Sequence, residues 1–117
     1  MNALNELYIE TLVNNGSTIK DNHTNYSMPV SGYMVADSEA QPALLNNKGL
    51  TRYQFKKAVR KFTKGGCCAG FWLNTDNNMW YIESSTLFDR LPIAMASAKR
   101  LKQLAIFDLS TFEEITL

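Results

Sequence analysis

The sequence predicts an α+β domain in which three helices pack against an antiparallel sheet of about four to six strands. Three observations support this class. Two apolar runs flank a polar turn, apolar residues recur at helical spacing in three other segments, and hairpins occur without a run of strand–helix–strand crossovers. The predicted order is α-β-β-α-β-β-α-β(β). At 117 residues, the chain has the length of one domain, residues 1–117.

The hairpin predicted at Ala69–Ser85 is the centre of this fold. Asn74–Asn78 separates its strands, and Asn and Asp side chains favour the backbone angles of turns. In the first strand, Phe71 and Leu73 alternate with Gly70 and Trp72. In the second strand, Trp80 and Ile82 alternate with Met79, Tyr81 and Glu83. Both sides carry large side chains, so we expect one covered face and one partly covered face.

The first half of the chain begins with a predicted helix at residues 2–13, ended by Asn14-Asn15-Gly16. Its expected buried stripe consists of Leu4, Leu7, Tyr8 and Leu12. Short strands are predicted at Ser17–Lys20 and Ser31–Ala36. The polar segments 21–27 and 37–47 are predicted to be loops.

A second helix is predicted over Arg52–Thr63, with Thr51 as its N-cap and Lys64-Gly65-Gly66 as its stop. Its buried stripe is expected to be Phe55, Ala58, Val59 and Phe62. Proline suits the first turn of a helix, which predicts a third helix at Pro92–Gln103. Final strands are predicted at Leu104–Leu109 and Glu114–Leu117.

Positive charge is concentrated on the second helix although the net charge of the chain is only +1. The segment 48–64 contains no acid and holds seven of the twelve basic residues: Lys48, Arg52, Lys56, Lys57, Arg60, Lys61 and Lys64. One interpretation is a solvated helix face. The functional interpretation is a surface that contacts a polyanion or an acidic protein. We assign Arg52, Lys56, Lys57, Arg60, Lys61 and Lys64 to partner binding, with Trp72 and Tyr81 as aromatic contacts.

The residues that usually carry catalysis are few. His23 is the only histidine, and Cys67 and Cys68 are adjacent. Adjacent cysteines do not match the ligand spacing of zinc sites, and no spacing signature joins His23 to a thiol nucleophile. We therefore expect a protein that is not an enzyme, with no catalytic residues, metal or cofactor. The absence of a long apolar run or a basic leader predicts a cytoplasmic protein without a membrane segment.

Several stretches together resemble the small orphan proteins carried by bacteriophages, plasmids and integrative elements. They are Leu7–Glu10, Asn14–Gly16, Ser31–Val35, Asn77–Ser85, the alanines at 94, 96 and 98, and Gln103–Leu109. The resemblance spans most of the chain and defines no catalytic residue. The loop 37–47 and the basic helix depart from it, which leaves the partner open.

The resemblance implies an accessory protein that inhibits a host defence system stoichiometrically, as anti-CRISPR, anti-restriction or anti-phage-exclusion proteins do. Such a protein would work in the host cytoplasm by covering a surface of a larger complex. A homodimer is also expected to be possible, because an edge strand at Glu114–Leu117 can pair across a two-fold axis. The alternative function is a nucleic-acid-binding accessory module that uses the basic helix 52–64.

Overall fold

The computed structural model describes residues 3–23, 25–37, 41–42 and 49–117. These contain the helices α1 (Ala3–Asn14), α2 (Arg52–Phe62) and α3 (Leu91–Arg100), and a 3₁₀ turn at Lys64–Gly66. The strands are β1 (Gly16–Asp21), β2 (Tyr26–Ser27), β3 (Tyr33–Ala36), β4 (Gln41–Pro42), β5 (Cys68–Asn74), β6 (Met79–Phe88), β7 (Ala105–Asp108) and β8 (Glu113–Thr116). The predicted α+β class is confirmed.

All strand pairs are antiparallel, in the order β2-β1-β5-β6-β3-β7-β8, and β4 pairs with β6 outside this path. The predicted four to six strands were slightly too few, because β2 and β4 are two-residue strands inside segments predicted as loops. The rest of the predicted loop 37–47 beyond Asp37 and β4 lies outside the described residues, as does Lys48.

One face of the sheet is covered by helices. Over β1, β5 and β6, the helices α1 and α2 enclose a core of Leu4, Ile19, Leu50, Phe55, Ala58, Val59, Ala69, Phe71 and Trp80. The Phe55 ring packs 4.8 Å from the Phe71 ring and 5.5 Å from the Tyr8 ring, measured between centroids. Over β3 and β7, the small side chains Ala94 and Ala98 let α3 approach Val35 and Ile106 closely.

The ends of α2 and α3 follow local chemistry. The predicted N-cap Thr51 is confirmed, and its hydroxyl accepts a hydrogen bond from the Gln54 N–H while the Gln54 side chain accepts one from the Thr51 N–H. This capping box satisfies N–H groups that a helix start leaves without intrahelical partners. Helix α3 ends at Arg100, before the predicted Gln103, because Lys102 has a left-handed backbone with φ of 58°.

The predicted buried stripe of α1 was wrong at Leu12, which is 38 % exposed, whereas the neighbouring Thr11 is fully buried. A buried hydroxyl is tolerated when it is hydrogen-bonded. Thr11 Oγ1 donates to the Leu7 carbonyl at 2.7 Å and lies 2.6 Å from Ser17 Oγ. The predicted helix end is confirmed, with Asn15 taking a left-handed φ of 57°.

The helices are short throughout the described part of the chain, and none has the length and apolar character needed to cross a membrane.

Candidate functional site

The exposed side of α2 forms the first candidate site. Five cations of α2 and Lys64 of the following 3₁₀ turn lie in the described part of the chain, and we call these six the basic surface: Arg52, Lys56, Lys57, Arg60, Lys61 and Lys64. Five of the six are exposed, and Lys56 is partly buried. Phe55, Ala58 and Val59 occupy the opposite side of the helix and are buried in the core. The helix is therefore strongly amphipathic, with its whole outer side positively charged.

The basic surface makes aromatic contacts but no ion pairs with other described residues. The Arg52 guanidinium lies 5.5 Å from the centre of the Tyr8 ring, and the Lys57 ammonium lies 5.9 Å from the centre of the Tyr53 ring. Tyr53 is 73 % exposed and adds an aromatic ring among the cations. Like charges at i, i+4 spacing repel each other by a few tenths of a kcal/mol per pair. The helix thus carries its cations without compensation from nearby carboxylates among the described residues.

Trp72 and Tyr81 are in contact with each other, as cross-strand partners in β5 and β6. Their rings stack with centroids 4.5 Å apart and an angle of 15° between the planes. Since Phe71 contacts Phe55 beneath α2, the adjacent Trp72 points to the other face of the sheet. The structure thus separates the predicted partner-binding residues into two groups on opposite faces. Any contact that includes all eight residues would have to wrap around an edge of the sheet.

The face that bears Trp72 forms the second candidate site, a groove of about 1380 Å³ that we call the open-face groove. Its floor is low because several residues that point to this face are small. Gly70 lies opposite Thr18 in β1 and Glu83 in β6, and Ala36 lies opposite Ser85. A Cβ atom at Gly70 would lie 3.1 Å from Glu83 Cγ, so glycine makes room for the Glu83 side chain.

The walls of the groove are largely apolar and project into solvent. They come from residues 28–30, which link β2 to β3, and from residues 101–104 and Phe112 around β7. Val30, Leu104 and Phe112 are 80 %, 83 % and 77 % exposed. Lys102 and Phe112 both have left-handed backbones, with φ of 58° and 57°. This conformation is uncommon for a bulky side chain such as Phe, and strained residues cluster at binding sites.

Glu83 is the acidic residue of the groove floor, opposite Gly70 in the neighbouring strand. It is partly buried, and its carboxylate has no hydrogen-bond partner among the described residues. Burial, with a smaller contribution from the Asp37 carboxylate, raises the pKa of Glu83 above its ordinary value. By contrast, both Asp37 oxygens accept hydrogen bonds, from Ser84 Oγ and Thr86 Oγ1, each at 2.9 Å. Glu83 therefore keeps its full capacity to accept hydrogen bonds with respect to the described residues.

The residues considered for catalysis lie in different environments. Cys67 and Cys68 are free thiols. Burial raises the pKa of Cys68 to about 11, which keeps it a neutral thiol at pH 7, and the thiolate is the nucleophilic form. His23 is exposed in the β1–β2 connection, where its backbone N–H donates to Asp21 Oδ1. Within the described ranges, no group of three His, Cys, Asp or Glu side chains is placed to hold a metal ion.

Comparisons with protein-family models, curated proteins and solved structures find no match to this chain.

The basic surface was visible in the sequence, but the open-face groove was not predicted. Alternation indicated that Gly70 and Trp72 share one face of their strand and that Tyr81 and Glu83 share one face of theirs, and the register of the hairpin places both pairs on the same face. The missing information was the pairing of β1 with β5 and of β3 with β6, which aligns small residues from four strands into one floor. Val30 and Leu104 of its walls are apolar, but nothing in the sequence marked them as exposed, and Leu104 was predicted to begin a strand.

Proposed function

We propose that this chain is a phage or mobile-element accessory protein that binds a component of a host anti-phage defence system and inhibits it by covering a protein surface. It acts without a cofactor, in the host cytoplasm. The basic surface on α2 is the contact, and the partner presents an acidic patch. The observation that carries the proposal is that six cations, five on the exposed side of α2 and Lys64 in the turn that follows it, have no ion pair within the described residues.

Charge complementarity supports a protein partner. Complementary charges accelerate association and select against wrong partners, and arginine is common among the residues that dominate interface energies. Arg52 and Arg60 supply such anchors, and Tyr53 adds an exposed ring. We propose a host defence system as the target because the sequence resembles orphan phage proteins.

Nucleic acid is the alternative partner for the same surface. The chain as a whole is nearly neutral, with a net charge of +1, whereas nucleic-acid-binding domains are usually strongly basic. In addition, the capping box uses the N–H groups of Thr51 and Gln54, which removes donors that a helix start can offer to phosphate. Both observations favour an acidic protein over a phosphate backbone.

A plating assay tests the proposal. Bacterial strains, each carrying one restriction, CRISPR or exclusion system, would express the chain and then be infected with a phage sensitive to that system. We expect plating to recover by at least about tenfold on one strain, and Lys56→Glu/Arg60→Glu to abolish the recovery. The matched control, Lys99→Glu/Arg100→Glu on α3, makes the same change in net charge and should retain it. Thermal denaturation would check that both variants fold.

Two outcomes would contradict the proposal. One is the absence of protection on every strain. The other is a mobility shift of double-stranded DNA or RNA by the purified protein that weakens steeply between about 50 and 200 mM salt. If Lys56→Glu/Arg60→Glu also removed such a shift, the basic surface would be a nucleic-acid site.

A further inference from the structure

The open-face groove offers a second binding site, on the side of the sheet away from the basic surface. Its size is the first guide to its occupant. At about 1380 Å³, it exceeds the roughly 300–1,000 Å³ of typical small-molecule pockets. The exposed walls at Val30, Leu104 and Phe112 also leave it open to solvent. These dimensions favour a segment of a macromolecule over a small molecule.

The pairing of the floor strands decides what kind of segment fits. In the middle of the floor, β5 pairs with β1 and β6, and β6 pairs with β5 on one side and with β3 and β4 on the other. An added strand binds through free backbone N–H and C=O groups at a sheet edge, and the middle of the floor around Gly70 and Glu83 is not an edge. A helix satisfies its own backbone and binds through side chains. A helix about 10 Å across, rising about 1.5 Å per residue, would need roughly a dozen residues to fill the groove.

The charges of the groove define the chemistry of that helix. Among the described side chains that line it, Glu83 and Glu114 are acidic and Lys102 is basic, whereas the Asp37 carboxylate accepts its hydrogen bonds from Ser84 and Thr86 on the covered face. Glu83 has no hydrogen-bond partner among the described residues, and the stacked pair of Trp72 and Tyr81 lies beside it on the same face. A lysine or arginine would both pair with the carboxylate and gain from a nearby aromatic face.

We infer that the open-face groove binds an amphipathic α-helix of another protein, with apolar side chains against Val30, Leu104 and Phe112 and a lysine or arginine against Glu83. A second copy of this chain matches less well. Two grooves facing each other would bring two Glu83 carboxylates together, and the outer side of α2 presents cations in place of the apolar stripe that the walls require. The exposed apolar residues of α1, Ile9 and Val13, lie beside Glu6 and Glu10 and offer no cation to Glu83. The inference goes beyond the proposed function, since it concerns the opposite face and does not depend on the basic surface.

A displayed peptide library provides the probe. Peptides of about 16 residues, with apolar positions at i, i+3, i+4 and i+7 and all other positions randomised, would be selected against the immobilised full-length protein. We expect enrichment of peptides that carry lysine or arginine beside the apolar stripe and become helical when bound, as measured by circular dichroism. Fluorescence anisotropy of the labelled peptides would then give their affinities.

Variants of the protein locate the binding site. We expect Glu83→Gln to weaken the selected peptides by roughly tenfold or more, the loss of one charge-assisted hydrogen bond. Leu104→Glu/Phe112→Glu should abolish binding, and since both side chains are exposed, this variant should fold. Lys56→Glu/Arg60→Glu on α2 should leave peptide affinity unchanged, which separates this test from that of the proposed function.

Four outcomes would overturn the inference: no enriched peptide, enriched peptides without a cation, bound peptides that stay extended, or affinities that the two groove variants do not change. Light scattering provides a fifth. If the wild-type protein were a dimer that Leu104→Glu/Phe112→Glu dissociates, the occupant of the groove would be a second copy.

Discussion

The two faces of the sheet are built from the same strands but differ in what their side chains contact. In β5, Ala69 and Phe71 point into the core beneath α1 and α2, whereas Gly70 and Trp72 point to the open-face groove. The covered face is packed with aromatic and aliphatic side chains. The open face carries a smaller buried cluster of Met34, Cys68 and Leu109, next to a floor of glycine, alanine, threonine and a carboxylate. Alternation along β5 and β6 therefore lets the covered face supply most of the buried apolar surface while Gly70, Trp72 and Glu83 remain available for binding.

The difference in packing between the covered face and the open face can be tested first by removing one large side chain from each face. Phe55 is fully buried between Tyr8 and Phe71 on the covered face. We expect Phe55→Ala to lower the free energy of unfolding by about 3–5 kcal/mol, because the lost burial leaves a cavity. Phe112→Ala, at the groove wall, is the matched control and should change it by less than about 0.5 kcal/mol. Urea denaturation would measure both, and equal losses would contradict the division between the faces.

A smaller effect is expected where the chain closes one end of the open face. Gly32 has a φ of +109°, and a Cβ atom there would lie 2.6 Å from Leu87 Cδ1 and 3.1 Å from the Phe88 carbonyl oxygen. We expect Gly32→Ala to cost about 1–3 kcal/mol in the free energy of unfolding.

Gly66 provides the control for this substitution. Its φ is +84°, and a Cβ atom would meet nothing within 4 Å. Gly66→Ala should therefore show only the backbone penalty of roughly 1 kcal/mol. If Gly32→Ala and Gly66→Ala lowered the free energy of unfolding equally in the same denaturation experiment, the close packing of Gly32 against β6 would not explain the cost of Gly32→Ala.

The parts of the fold that the sequence predicted are those controlled by nearby residues. Helix α2 combines an N-cap, an apolar stripe and a glycine stop within fifteen residues or so, and the hairpin combines a polar turn with alternating strands. Short strands depend on distant partners instead. Tyr26 and Ser27 lie in a polar segment and become a strand only because β1 pairs with them.

The burial of single residues shows the same limit. Apolar periodicity placed Leu12 in the core, yet Thr11 is buried because Ser17, beyond the end of the helix, lies within hydrogen-bonding distance of its hydroxyl. The open-face groove was even less predictable from the sequence, since it exists only where small residues of separate strands are brought side by side. Glu83 could be placed on a strand from the sequence, but its unused carboxylate is a property of that arrangement.

The smallest predicted effect concerns Glu83 itself. Burial raises the pKa of its carboxyl in the folded protein above the ordinary value of 4.5. The folded protein therefore binds the proton of the Glu83 carboxyl more tightly than the unfolded chain does. As the pH rises from the ordinary pKa through the raised pKa, this group lowers the free energy of unfolding. Its destabilising effect is greatest at pH values above both pKa values. Glu83→Gln removes that cost. We therefore expect the variant to melt at a higher temperature than the wild type at pH 7, and the difference to vanish near pH 3.

Ser85→Ala is a useful comparison for Glu83→Gln, because it changes a neighbouring open-face residue without a titrating group and its effect should not depend on pH between those values. A Glu83→Gln variant that melts lower than the wild type at pH 7 would mean that the carboxylate stabilises the fold. A Glu83→Gln variant that is more stable than the wild type and also loses peptide binding would show that the Glu83 charge destabilises the fold. A role in binding then explains why the chain carries this charge, and a role in stability does not.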